Sequence, residues 1–277
     1  MFRANAPSPQ FHTSVVSAHT QHDHFGLYMT PSDTRARALT NAVDHLLQQV
    51  QRTGAPLRPD TRALVATGGR PGPAAHVAAR SGACVVAACT SDSVAADEFN
   101  DRLNIMRAAS SDAVFAHDDA SFDVVMSIDA LAAAQDKRGM LAHAFRVLKE
   151  GGLLAVMDVV ARPGAHRADL VPFEKAMAVP PLITLHSYEK LLHDVGFVLM
   201  RTCDLSAHVV MSYKQIITRA RDLREKLHDC SAEDVDDIVK QLEEDVRRMR
   251  DDDTIGWTSF VALKKFEDER DGKMVVE

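Results

Sequence analysis

The chain has 277 residues, enough for one large α/β domain with an insertion or for two small domains. It is 46% hydrophobic and 26% charged, carries a net charge of −7 and has a pI near 6.0, which argues against a general affinity for nucleic acid or an anionic membrane surface. No apolar run is long enough to span a bilayer, and the opening MFRANAPSPQ lacks the apolar core of a secretion signal. Cys84, Cys89, Cys203 and Cys230 show no C-x-x-C spacing, and the first two fall in an expected buried strand; the expected compartment is the reducing cytoplasm.

Residues 1–20 read as a mobile N-terminus and 267–277 as a flexible tail, with one domain over 21–266 between them. The lead-in His19-Thr-Gln-His22-Asp-His24 is rich in histidine, but no acidic or cysteine ligand recurs at fixed spacing, so no metal is expected. Pro31-Ser32-Asp33 offers an N-cap for a helix reaching Arg52, with Leu39, Val43, Leu46, Leu47 and Val50 on one face. Arg62–Ala66 reads as a buried strand, Thr67–Gly72 as a glycine turn and Pro73–Arg80 as the start of a helix. A second strand follows at Ala83–Cys89, a helix at Ser93–Arg107 and a third short strand within 108–116. Phe122–Ile128 is a fourth strand, Arg138–Leu148 a helix and Leu153–Asp158 a fifth strand. Strands that alternate with helices and are apolar almost throughout predict a mostly parallel sheet covered on both faces, with a core over 55–160. Beyond it, Tyr188–Val195 reads as a helix ending at Gly196, Phe197–Cys203 as a strand and Trp257–Leu263 as the last strand. A charged block from 213 to 252, within a cap insertion placed at 205–253, shows apolar residues at helical spacing and a break at Cys230-Ser231. Its plain reading is helical packing with solvated outer faces; its functional reading is a lid.

Ligands of open α/β sheets sit beyond the carboxyl ends of the strands, where strand order reverses. Here those ends are Thr67, Gly68, Gly69 and Gly72; Cys89 and Thr90; Ser111 and Asp112; Asp129 and Ala130. Glycines at the first end let the backbone approach a ligand, and the following helix turns its free N–H groups toward it.

The run Phe122-Asp-Val-Val-Met-Ser-Ile-Asp-Ala-Leu131, followed by Arg146-Val-Leu-Lys-Glu-Gly-Gly-Leu-Leu-Ala-Val-Met-Asp158, resembles the second half of class I S-adenosylmethionine-dependent methyltransferases. His24-Phe-Gly-Leu-Tyr28, the Val195-Gly-Phe197 turn, Tyr213, the charged block and the Trp257 strand fall in the order of the sarcosine and dimethylglycine N-methyltransferases. The resemblance covers roughly 22–266 and extends to tocopherol, sterol and sugar methyltransferases. It implies a Rossmann-like, mostly parallel seven-stranded sheet with helices on both faces and a helical lid. It also implies S-adenosylmethionine as cofactor, Asp129 at the cofactor's methionine end, and Tyr28, His24 and Tyr213 placing a small amine such as sarcosine or dimethylglycine.

The departures concentrate at the cofactor. Val65 stands where the family has an acid, Thr67 and Pro71 replace the outer glycines of GxGxG, and Cys89 replaces the ribose-binding residue. Asp112 is the nearest candidate for the adenine contact, and Ala132-Ala133 stand where relatives carry histidine. Each lost charge-assisted bond costs roughly 1.5–3 kcal/mol. Two readings therefore stand: a working methyltransferase with an unusual cofactor loop, or a methyltransferase-like protein that no longer transfers methyl groups. The second would be a non-catalytic subunit beside an active relative or a repurposed enzyme such as a cyclase. A homodimer or a hetero-oligomer suits either. A dinucleotide enzyme is disfavoured by the absence of G-x-G-x-x-G.

Overall fold

The computed structural model describes residues 9–16, 22, 24–30, 32–67, 69–89, 102–107, 116–251 and 253–266. Seven strands form one sheet: β1 (Arg62–Thr67), β2 (Cys84–Cys89), β3 (Leu103–Arg107), β4 (Phe122–Ile128), β5 (Leu148–Ala161), β6 (Phe197–Asp204) and β7 (Ile255–Lys264). Their spatial order is β3-β2-β1-β4-β5-β7-β6. The first five are mutually parallel, and β7 runs antiparallel to both β5 and β6. This is the Rossmann-like methyltransferase architecture expected above. Alternate residues of one strand feed opposite faces: Ala63 and Val65 of β1 join one core cluster, Leu64 and Ala66 the other. The helices are α1 (Pro9–Phe11), α2 (Arg35–Gln51), α3 (Gly72–Ser81), α4 (Lys137–Val147), α5 (Arg167–Met177), α6 (Leu185–Val195), α7 (Ser206–Leu223) and α8 (Ala232–Asp251). Among the described residues, no helix is long and apolar enough to cross a membrane.

Several elements differ from expectation, each for a local reason. The third strand is Leu103–Arg107, where the end of a helix was expected. Its Leu103 and Ile105 pack on one face of the sheet and Met106 on the other, a two-residue period within only five residues. Most of the expected helix and nearly all of the 108–116 strand lie outside the described residues. The cap of α2 is Thr34, whose side chain accepts from Arg37 N, because the Asp33 carboxylate is already taken by Met29 N and Thr30 N. Helix α5 was unforeseen: Pro172 reads as a breaker, yet Leu170, Phe173 and Met177 bury one helical face around it. Part of the stretch expected to be mobile, α1 and a π-helical turn over His12–Val16, buries Phe11, Val15 and Val16 in the core. The break between α7 and α8 is a capping box: Asp234 N donates to Ser231 Oγ, and Ser231 N donates to Asp234 Oδ2.

Candidate functional site

Strand order reverses between β1 and β4, which opens a crevice at their carboxyl ends. Thr67 closes β1 directly beside Ile128 of β4, so the glycine turn and Asp129 leave the sheet as neighbours. Three buried polar atoms here have no hydrogen-bond partner among the described residues: Thr67 Oγ1, Ser127 Oγ and Asp129 Oδ1. Buried polar atoms are costly unless something pairs with them, so Thr67 Oγ1 and Asp129 Oδ1 mark a place built to be filled, whereas Ser127, in register with Ala66, lies on the opposite face of the sheet from Thr67.

Asp129 is the centre of this group. Its φ of 50° lies in the left-handed region, which a non-glycine residue occupies at a cost. Its N–H donates to Met157 O at 2.9 Å and its Oδ2 accepts from Phe25 N at 3.3 Å. Burial, and then the like charge of Asp158, push its carboxyl well above the usual range, against the pull of the Phe25 N–H and of the nearby Trp257 indole, whose buried Nε1 likewise makes no hydrogen bond among the described residues. Asp158 is fully buried and accepts from Ala132 N at 2.6 Å and Val159 N at 2.9 Å. Burial raises it to about 7, and those N–H groups and the Lys137 charge pull the other way. Lys137 Nζ donates to Ala132 O and Ala134 O, both at 3.0 Å, and so braces the turn after β4.

The segment His24–Tyr28 lies over this crevice. Gly26 N donates to Ser212 Oγ at 3.0 Å and Ser212 Oγ donates to Gly26 O at 3.2 Å, pinning the segment to α7. Leu27 N donates to Ala38 O of α2 at 2.8 Å. Phe25 stacks on Tyr213 with centroids 6.0 Å apart and meets Trp257 edge-on at 5.8 Å. His24 Nδ1 lies 2.7 Å from Phe25 O, and its Nε2 lies 2.9 Å from His22 Nδ1. Nδ1 can only donate to that carbonyl, so Nε2 of the neutral ring accepts from His22. Burial lowers the His24 pKa to about 4, partly offset by that carbonyl. The Tyr28 hydroxyl is buried and has no partner among the described residues, and Tyr28 N donates to His208 Nδ1 at 3.2 Å. Tyr213 OH donates to Met177 Sδ at 3.8 Å. The expected substrate residues His24, Tyr28 and Tyr213 thus all belong to the cover or its support. Phe25, Lys137, Asp158, Ser212 and Trp257 were missed as site residues. Phe25 stood inside the His24–Tyr28 motif, whereas nothing in sequence places Ser212 opposite Gly26.

At the first strand end, Thr67 and Gly69 are buried and Gly72 begins α3. Pro71 is the cap residue without a side-chain bond, and Pro71 and Pro73 together remove two of the four N–H groups such a helix start normally presents. Val65 is fully buried within the apolar core. Cys89 is also fully buried, and its thiol points toward Met106 O at 4.0 Å. Ala130 follows Asp129 and packs partly buried against the second core cluster. Gly68, Thr90, Ser111 and Asp112 lie outside the described residues. Among the described residues, no three metal-ligating side chains gather. The donor set fits the amino-acid end of an S-adenosylmethionine molecule, with a carboxylate for its ammonium and a hydroxyl beside it.

A methyltransferase-domain family model matches residues 36–202. Phosphoethanolamine N-methyltransferase 1 of Arabidopsis thaliana is 30% identical over 147 residues, 53% of this chain and 30% of that protein. Dimethylglycine N-methyltransferase of Parasynechococcus marenigrum is 29% identical over 213 residues, 74% of each chain. The chain spans 30%, 46% and 34% of the length of the first curated relatives it matches. Among solved structures, a candidate sarcosine dimethylglycine methyltransferase from Galdieria sulphuraria shares the fold, with a TM-score of 0.80 and 20% identity over 92% of this chain and 97% of that one.

Proposed function

The chain belongs to the class I S-adenosylmethionine-dependent methyltransferase family, and on that premise we propose that it transfers a methyl group to a small-molecule amine. The observation that carries the proposal is the buried Asp129 carboxylate at the switch point, with one oxygen unpartnered at the end of β1, where Thr67 Oγ1 also lacks a partner among the described residues. S-adenosylmethionine supplies a methyl group on a sulfonium, already activated for in-line displacement. Asp129 holds the cofactor's ammonium, and that charge favours the ionised carboxylate that burial opposes. Thr67 Oγ1 contributes a hydrogen bond next to it. Phe25, Tyr213 and Trp257 exclude water, so alignment and desolvation carry the rate without a strong base. Tyr28 presents its unpartnered hydroxyl as a positioning group. Dimethylglycine and sarcosine are the first acceptors to try, given the relatives that resemble this chain.

The test is calorimetry with S-adenosylmethionine and S-adenosylhomocysteine. Micromolar binding supports the proposal, and Asp129→Ala is expected to weaken it about 10- to 100-fold while the protein stays folded. Specific observations favour a second reading, a fold-sharing protein without methyl transfer: Val65 and Cys89 offer the cofactor nothing, and two prolines thin the N–H groups at α3. A folded protein with no affinity at millimolar ligand selects it, and a search for a partner chain would follow.

A further inference from the structure

The helical cap contains a cavity of about 220 Å³ between α5, α7 and α8, walled by Met177, Tyr213, Ile238, Gln241, Leu242 and Asp245. Most of this wall is apolar; Gln241 and Asp245 are the exceptions, and Asp245 is its one ionisable carboxyl. Val235, Val239, Leu242 and Met249 form the buried stripe of α8, and Asp245 sits within that stripe, 3% exposed. Its Oδ1 accepts from Gln241 Nε2 at 3.1 Å. Arg248 Nη1, itself buried without a hydrogen-bond partner among the described residues, forms only a long ion pair with Oδ1 at 3.9 Å, beyond hydrogen-bond reach, while Arg248 Nε lies 3.3 Å from Glu244. Oδ2 takes no hydrogen bond among the described residues. A carboxylate turned into an apolar chamber with an unused oxygen costs stability unless a donor or cation completes it. The Tyr213 ring that walls this chamber carries Phe25 on its stack, and Phe25 N in turn bonds Asp129.

We propose that this cavity binds a small amine with an apolar body, its ammonium on Asp245 and its ring or alkyl chain against Leu242, Ile238 and Tyr213. Among the described residues the lining holds no cation for a carboxylate, so if the acceptor binds here, sarcosine and dimethylglycine, the acceptors that relatives suggest, are turned over poorly and carboxylate-free amines are preferred. As a statement about the acceptor this rests on the methyltransferase reading; as a binding site it stands without it.

The test uses the full chain and two probes of similar size and opposite charge, 2-phenylethylamine and 3-phenylpropionate, by calorimetry near neutral pH. The amine is expected to bind at least about tenfold more tightly than the acid. Asp245→Asn, nearly isosteric, should remove that preference, and Leu242→Trp, which fills the chamber, should abolish amine binding. Ile238→Phe is the milder filling variant should Leu242→Trp fail to fold. Equal affinity for both probes, binding of neither, or an undiminished preference in Asp245→Asn overturns the proposal. Cofactor titrations on the same samples separate the two claims. Cofactor binding without amine preference overturns the cavity assignment alone. Amine preference without cofactor binding supports the site and counts against the methyltransferase reading.

Discussion

Asp129 and Asp158 place two acids in one dry site, and His24 places a neutral imidazole nearby, so stability should respond to pH from both sides. The folded-state pKa of Asp158 is raised to about 7, so its contribution is fully present at low pH and is lost as pH rises through that value. Asp158→Asn removes that titration. The melting temperature of that variant should therefore fall less than wild type between about pH 4 and pH 7; an identical fall would mean that Asp158 does not titrate in that window. His24 has the opposite sign. Its pKa drops from 6.5 to about 4, so the stability it contributes is present above 6.5 and lost as pH falls through that window. Thermal melts of His24→Gln should show a flatter acid limb than wild type, and an unchanged limb would point to other groups.

Among the elements, the cover and the glycine turn decide what the crevice can hold. A Cβ on Gly26 would stand 2.8 Å from Ala38 Cβ and 3.3 Å from the α2 backbone, so Gly26→Ala cannot keep the cover seated. A cost of about 1–3 kcal/mol is expected. Hydrogen exchange at Gly26 and Leu27, whose N–H groups bond Ser212 and Ala38, should accelerate while the sheet stays protected. Unchanged exchange would show that the segment tolerates the methyl group. In the turn, Pro71→Gly returns an N–H to the start of α3 and should tighten S-adenosylhomocysteine binding severalfold in a calorimetric titration. Val65→Asp is a different matter despite restoring the family's acid: Val65 is fully buried in the core, and an unpaired carboxylate there should lower the melting temperature without improving affinity.

At the scale of the whole molecule, sheet, cover and crevice meet at the chain's one tryptophan, fully buried on β7 and edge-on to Phe25. Cofactor binding at Asp129 should therefore shift intrinsic fluorescence, and a calorimetric signal with no change in emission would place the ligand elsewhere. How much of this was legible follows from the range of each signal. The apolar runs of β1, β2, β4 and β5 declare a buried parallel sheet because each strand must be apolar on both faces, and the run from Phe122 to Leu131 carries the family's pattern within a single stretch. Helix α8 declares itself through a repeat at helical spacing, Val235, Ile238, Val239, Leu242, Val246 and Met249, which runs past Asp245 unbroken. Strand β3 was hidden because five residues cannot separate a two-residue period from a helical one, and α5 because Pro172 outweighs its apolar face until that face finds a core. The amino-acid sequence by itself determined the fold class, the family and the weakened cofactor loop, since these reside in local composition and spacing. Only the tertiary structure decided that Phe25 covers Asp129, that Asp158 loads it with a second charge, and that Asp245 faces a chamber beside Tyr213. Those are contacts between residues far apart in the chain, and burial and charge coupling exist only once packing has brought them together.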